Sequence, residues 1–159
     1  MRTLVVFASK YGATEECAEK LKEKLGGDVT VVKLGKNTRP PDLSEYDTVI
    51  VGGSIHAGRI QKAVRDFCMK NLDTLKAKNL GLFVSSLTPP EKAVKYITDS
   101  FPGELVEGAK AKGCFGGALY YEKMNFLERF VMKKITKSDR NIYSISEQNI
   151  QQFAEQMKG

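Results

Sequence analysis

Residues 4–18 read LVVFASKYGATEECA, and the fold turns on how they are parsed. Leu4, Val5, Val6 and Phe7 form an apolar, β-prone run of the kind seen in strands covered on both faces. From Thr14 the period changes: Cys17, Ala18, Leu21 and Leu25 recur at helical spacing, and Glu15 and Glu16 fall in a first turn that favours acidic side chains. Strand and helix are thus joined by six residues, Ser9, Lys10, Tyr11, Gly12, Ala13 and Thr14. A helix N-terminus presents unsatisfied N–H groups and partial positive charge, which suits a phosphate. Ser9 and Thr14 add hydroxyls, and Gly12 lets the backbone curl tightly. The stretch contains neither GxxxxGK[ST] nor GxGxxG, so it is no P-loop and no dinucleotide fingerprint. What remains is a cradle sized for a terminal monophosphate, or a tight turn capped by Thr14. The loop alone leaves both readings open.

Working outward, the same alternation fills the chain. Strands are expected at residues 3–8, 29–34, 46–52, 80–85 and 114–119. Helices are expected at 14–25, at 61–72, from Pro90 to about residue 97, at 125–136, and from Ser146 onward. Gly26 and Gly27 end the first helix, Pro40 and Pro41 mark a loop, and residues 141–145 read as a short extended piece. Strands apolar along their whole length, alternating with helices, imply an α/β fold: a five-stranded parallel sheet with helices on both faces. At 159 residues, one domain spanning 1–159 is expected.

Composition narrows the function. The 42% apolar share with mixed charges describes a soluble globular chain, and no run approaches the roughly 18 apolar residues of a membrane span. The N-terminus lacks a signal-peptide pattern, and the three cysteines (Cys17, Cys68, Cys114) have no CxxC pairing, so a cytoplasmic chain with reduced, packed thiols is expected. A single histidine, His56, does not make a histidine-rich metal site, and no metal is assigned. The net charge of +6 is concentrated between residues 109 and 140, where eight basic residues face three acidic ones. That local excess suits a solvated face or an anionic partner. No helix-turn-helix, zinc or RNP-like pattern accompanies it, so specific nucleic-acid binding is not expected.

In open parallel sheets, ligands sit beyond the carboxyl ends of the strands, where strand order reverses. Three loops fall there: SKYGAT, GGSIHAGRI and SSLTPP, with GGALYYEK as a fourth candidate. Ser54, Ile55, His56, Ala57 and Gly58 would let a flat ring lie close to the main chain. Ser85, Ser86, Leu87 and Thr88 again bring hydroxyls to a strand end, stiffened by Pro89 and Pro90. Three such loops at one edge constitute a site.

Ser9-Lys10-Tyr11-Gly12-Ala13-Thr14, continued by Glu15-Glu16-Cys17-Ala18, resembles the phosphate loop of the flavodoxin family, S/T-x-x-G-x-T followed by T-E-x-x-A. The resemblance runs over nearly the whole chain and implies a three-layer sandwich with strand order 2-1-3-4-5. It implies FMN as cofactor and electron transfer through it. Residues 9–14 would hold the phosphate, 54–58 would line the ring, and 85–88 would meet its carbonyl edge. Within the family, Gly52-Gly53-Ser54-Ile55-His56-Ala57-Gly58, Gly117-Ala118-Leu119-Tyr120-Tyr121 and FLERFVMKKITK are similar to the bacterial quinone-dependent protoporphyrinogen IX dehydrogenases. The first reading is therefore an FMN redox protein that transfers electrons to or from a redox partner protein. The alternative, implied by the second likeness, is an enzyme of heme biosynthesis with a porphyrinogen as substrate and a quinone as acceptor at the membrane surface.

The chain departs from typical flavodoxins in two respects. It is basic where they are acidic, and it has no Trp, with His56 and Leu87 at the positions expected to flank the ring. The flavin is then held with less stacking, or left open to a substrate. His56 is the one candidate catalytic residue, because an imidazole titrates near neutrality. Between 125 and 136, Phe126, Leu127, Phe130 and Val131 sit at helical spacing, as in any helix covering a sheet. With Lys123, Arg129, Lys133 and Lys137 beside Met124 and Met132, the segment equally suits an anionic membrane surface. Residues 121–140 are thus a candidate for peripheral contact with the inner face of a membrane, for the propionates of a porphyrin or for a quinone reductase, with a helix that simply covers the sheet as the first reading.

Overall fold

The first strand, β1 (Arg2–Phe7), buries both its faces: Val5 and Phe7 enter one apolar cluster, Leu4 and Val6 another. Successive side chains of a strand point to opposite sides, so this requires helices above and below the sheet. The computed structural model, which describes residues 2–35, 38–39, 41–136 and 140–159, has that arrangement. Pro40 of the expected loop, and Lys137 and Asp139 of the basic region, lie outside the described residues.

β1 pairs in parallel with β2 (Asp28–Lys33) on one side and β3 (Thr48–His56) on the other. A two-residue strand, β4 (Arg59–Ile60), folds back antiparallel on the end of β3. β5 (Asn79–Ser85) then pairs with β3, and β6 (Ala111–Cys114) closes the edge, both in parallel. The five parallel strands thus run β2-β1-β3-β5-β6, the expected 2-1-3-4-5 order once the β4 appendage is set aside.

On one face lie α1 (Ala13–Leu25) and, at the end of the chain, α7 (Glu147–Lys158), whose Cys17, Leu21, Ile150 and Phe153 pack on Val5, Phe7, Ile50 and Phe83. The N-terminus of α7 is capped by Ser146, whose Oγ accepts the Asn149 N–H at 3.1 Å. The other face carries α2 (Lys62–Lys70), α3 (Leu72–Lys76), α4 (Pro90–Ser100) and α5 (Gly103–Gly108). Val64, Phe67, Leu75, Ile97 and Leu105 bury there against Leu4, Val6, Val51 and Leu82. Burial pushes the thiols of Cys17 and Cys68 up to about 12, and that of Cys114 to about 11, so all three stay protonated packing groups.

The fifth strand is displaced from its expected position. Residues 114–119 form a near-continuous apolar run, but ladder pairing occupies Ala111–Cys114. Gly116, at φ +77°, turns the chain out of the sheet, and a Cβ there would lie 2.0 Å from the Ser144 carbonyl oxygen. Beyond it, β7 (Ala118–Leu119) pairs antiparallel with β8 (Ile142–Tyr143) in a separate two-stranded ribbon. The ribbon brackets an insert of a short 3-10 turn, Tyr121–Lys123, and α6 (Phe126–Thr136).

α6 does not cover the sheet, for it has no buried residue. Phe126 is 86% and Leu127 69% exposed, and Phe130, Val131 and Ile135 also face solvent. Local bonding starts the helix instead: Asn125 Oδ1 accepts the Glu128 N–H at 2.8 Å, and Glu128 Oε1 accepts the Asn125 N–H at 3.2 Å, a reciprocal capping box. The insert stands on a small cluster of Leu119, Tyr121 and Met124, joined by Tyr11, Met132 and Ile142.

Candidate functional site

The strand–helix junction at residues 9–14 is shaped by one backbone feature. Gly12, at φ +98°, occupies the left-handed region at the N-cap of α1, and its carbonyl accepts the Glu16 N–H at 3.0 Å. Ser9 Oγ accepts the Gly12 N–H, also at 3.0 Å, and so holds the curl closed. Thr14 follows in the first helical turn, fully buried, and its Oγ1 has no hydrogen-bond partner. A buried hydroxyl left without a partner costs about 1–3 kcal/mol, so native chains rarely keep one without use for it.

Sheet register brings the second and third loops alongside. Ser54 at the end of β3 pairs with Ser85 at the end of β5, so the two loops leave the same edge at the same level. Ala57 and Gly58, at φ +53° and +77°, form the two-residue turn between β3 and β4; among the described residues Ala57 is the one non-glycine with positive φ. Gln61 fixes this corner: its Oε1 accepts the Ser54 N–H at 2.9 Å, while its Nε2 donates to Ala8 O at 3.3 Å and to Ser54 Oγ. Ser54 Oγ lies in turn 3.0 Å from His56 Nε2. Partial burial, then the nearby Lys10 charge, hold His56 below the usual imidazole range, so the neutral ring prevails at neutral pH. In the third loop Ser86 Oγ accepts the Thr88 N–H at 3.1 Å, and the Ser86 N–H bonds to Gly116 O at 2.9 Å. Gly117 lets the two segments touch, for a Cβ there would sit 2.9 Å from the Ser86 carbonyl carbon.

These loops enclose a cleft of about 520 Å³, within the range of roughly 300–1,000 Å³ typical of small-molecule sites. Ser9, Lys10, Tyr11, Ala13 and Thr14 line it from the first loop, Ser54, Ile55, His56, Ala57 and Gly58 from the second, and Ser85, Ser86, Leu87 and Thr88 from the third. Gly12 shapes the first loop without lining the cleft. The fourth loop contributes Gly117, Ala118 and Leu119, and the remaining walls are Tyr96 of α4 with Met132 and Ile135 of α6.

A family model described as a flavodoxin domain matches residues 4–143 of the sequence. The chain belongs to the flavodoxin domain family. The fold of this flavodoxin domain is similar to that of Bacillus cereus flavodoxin 2 (TM-score 0.62, 21% identity, 99% of this chain and 98% of that one). It is also similar to a Streptococcus pneumoniae flavodoxin (TM-score 0.56, 24% identity, 99% and 98%). In sequence the chain is 27% identical over 146 residues to the protoporphyrinogen IX dehydrogenase [quinone] of Escherichia coli K12, covering 86% of this chain and 80% of that protein.

FMN, the cofactor of the family, fits the cleft on this chain's own features. The unpartnered Thr14 hydroxyl, the Gly12 curl and the α1 N-terminus are complementary to a phosphate. Ser54, Ala57 and Gly58 of the second loop and the close approach of Gly117 to Ser86 leave room for a planar ring.

Several contacts were not legible in the sequence. Tyr11 Oη donates a hydrogen bond to Glu128 Oε2, and Lys10 Nζ lies 3.9 Å from the same carboxylate. Burial and that partner push the Tyr11 phenol up to about 12, while the Tyr11 bond holds the Glu128 carboxyl below its usual range. Glu16 Oε1 accepts from Tyr120 Oη at 2.8 Å, and its Oε2 from Tyr143 Oη at 2.7 Å. The insert is thus fastened to the first loop and to α1 by partners more than 100 residues apart. Periodicity carries no signal for such pairs, nor for Gln61, which reads as a helix-start residue.

Proposed function

We propose that this flavodoxin domain is an FMN-dependent oxidoreductase that oxidises a porphyrinogen and passes the electrons to a quinone at a membrane surface. The observation that carries the proposal is the composition of the cleft: beyond the three loops it is extended by Met132 and Ile135, contributed by an exposed basic helix. A domain that only exchanges electrons with protein partners needs no apolar wall past its cofactor seat. The likeness to an enzyme named protoporphyrinogen IX dehydrogenase [quinone] supports the same reading.

Bound FMN supplies the two-electron redox chemistry. The chain does the rest. Residues 9–14 hold the phosphate, with Thr14 Oγ1 donating to it. Residues 54–58 lie along the ring, and Ser85, Ser86 and Thr88 offer polar groups to its edge. Neutral His56, oriented through Ser54 by Gln61, is placed to accept a proton released as the substrate is oxidised. Leu119, Met132 and Ile135 give an apolar seat to a flat macrocycle. Outside the cleft, Phe126, Leu127 and Phe130 with Arg129, Lys133 and Lys134 suit a surface of anionic lipid, where a quinone is dissolved. No helix among the described residues is long and apolar enough to cross a membrane, and the contact proposed is peripheral, on the cytoplasmic side.

The test is turnover. FMN-loaded protein with protoporphyrinogen and a quinone, under exclusion of oxygen, is expected to produce fluorescent porphyrin. The double variant Lys133→Glu, Lys134→Glu should keep its FMN affinity. With roughly 1 kcal/mol per basic residue at an anionic surface, its binding to anionic vesicles should fall by on the order of 30-fold. Turnover with quinone held in those vesicles should fall with it. Absence of porphyrin from the intact loaded protein would sink the enzyme reading and leave an FMN electron carrier for a protein partner.

A further inference from the structure

The phosphate cradle has a neighbour outside its own loop. Lys123 closes the 3-10 turn of the insert, and a Cβ on Gly12 would meet its Nζ at 2.6 Å. The ammonium can rest on the crown of the curl only because residue 12 has no side chain. It is also 5.1 Å over the Tyr120 ring, which steadies it there. Among the described residues Lys123 forms no ion pair, although it is exposed. Lys10, the ammonium within the loop, is engaged differently, 3.9 Å from Glu128 and 5.2 Å over the Tyr11 ring. The loop itself otherwise offers neutral donors to a phosphate: backbone N–H groups and the buried, unpartnered Thr14 hydroxyl. A cation outside any close ion pair, set against such a curl, is what a dianionic group completes.

We propose that Lys123 is a phosphate-binding residue of this flavodoxin domain, supplied to the cradle by the insert. The inference rests on the FMN reading and extends it to a segment outside the three loops. It also ties the insert to the cofactor: phosphate bound at the curl favours the docked position of residues 120–128, and docking favours phosphate to the same degree. Tyr11, Lys10 and Glu16 already hold that segment in place through Glu128 and Tyr120.

The experiment compares two ligands differing only in the phosphate. FMN and riboflavin are titrated, by quenching of flavin fluorescence, into flavin-free wild type, Lys123→Met and Lys123→Arg. Lys123→Met should weaken FMN binding about tenfold, the scale of one charge-assisted contact at a solvated rim. Riboflavin affinity should change less than twofold, and Lys123→Arg should restore most of the FMN affinity. An FMN-to-riboflavin affinity ratio that Lys123→Met leaves unaltered, whether both ligands weaken or neither does, overturns the assignment while the FMN reading stands. Wild-type protein that binds neither flavin overturns both.

Discussion

Thr14→Val is expected to move two quantities in opposite directions. The flavin-free protein should gain about 1 kcal/mol, at the lower end of the cost of an unpaired buried hydroxyl. For a chain of this size that corresponds to roughly 2–4 °C in melting temperature. Valine keeps the branched shape at a fully buried position, so packing is preserved while the orphaned Oγ1 is removed. FMN affinity should fall in the same variant by on the order of 10- to 100-fold, from losing one hydrogen bond to a charged group worth about 1.5–3 kcal/mol. Thermal melts of the flavin-free protein and FMN titrations check both halves. A variant that melts lower, or that binds FMN as tightly as wild type, would mean that the buried hydroxyl is not held in reserve for a phosphate.

The second large effect lies in the core beneath the site. Phe83 is fully buried at the centre of β5, stacked on Phe115 with centroids 4.6 Å apart and meeting Phe153 edge-on at 6.3 Å. Gly52 on the neighbouring strand leaves room for the ring: a Cβ there would lie 2.1 Å from it. Phe83→Ala would empty a space bounded by a sheet that cannot close over it, with an expected cost of about 3–5 kcal/mol. Against a total of roughly 5–15 kcal/mol, that is a large fraction of the folding free energy. Urea unfolding followed by circular dichroism measures it, and a loss below about 1 kcal/mol would show that the three-ring cluster does not organise this face.

The parts of the fold that repeat were legible in the sequence. Leu4 to Phe7 read as a doubly covered strand because both residue parities are apolar, and both are buried on opposite sides of the sheet. That the three loops share one sheet edge was legible because each follows such a strand, and β3–β5 register brings Ser54 and Ser85 level. The fifth strand was misplaced because AKGC has little apolar character of its own. Gly113 there leaves space for Phe115 and Phe153, while the apolar residues after it belong to a turn and a ribbon. α6 has the periodicity of a core helix, yet its apolar residues are exposed, since spacing reports a face and not what covers that face. Lys123 on Gly12 and Glu128 on Tyr11 are encounters between distant segments, set by the path of the insert.

Amide NMR during FMN titration tests the central claim most directly. The account predicts saturable one-to-one binding, with the largest shifts at the backbone N–H groups of residues 10–14. Smaller shifts are expected at 54–58 and 86–88, and riboflavin should reproduce those while leaving 10–14 nearly still. Shifts centred elsewhere on the sheet, or a first loop that responds equally to riboflavin and FMN, would contradict it.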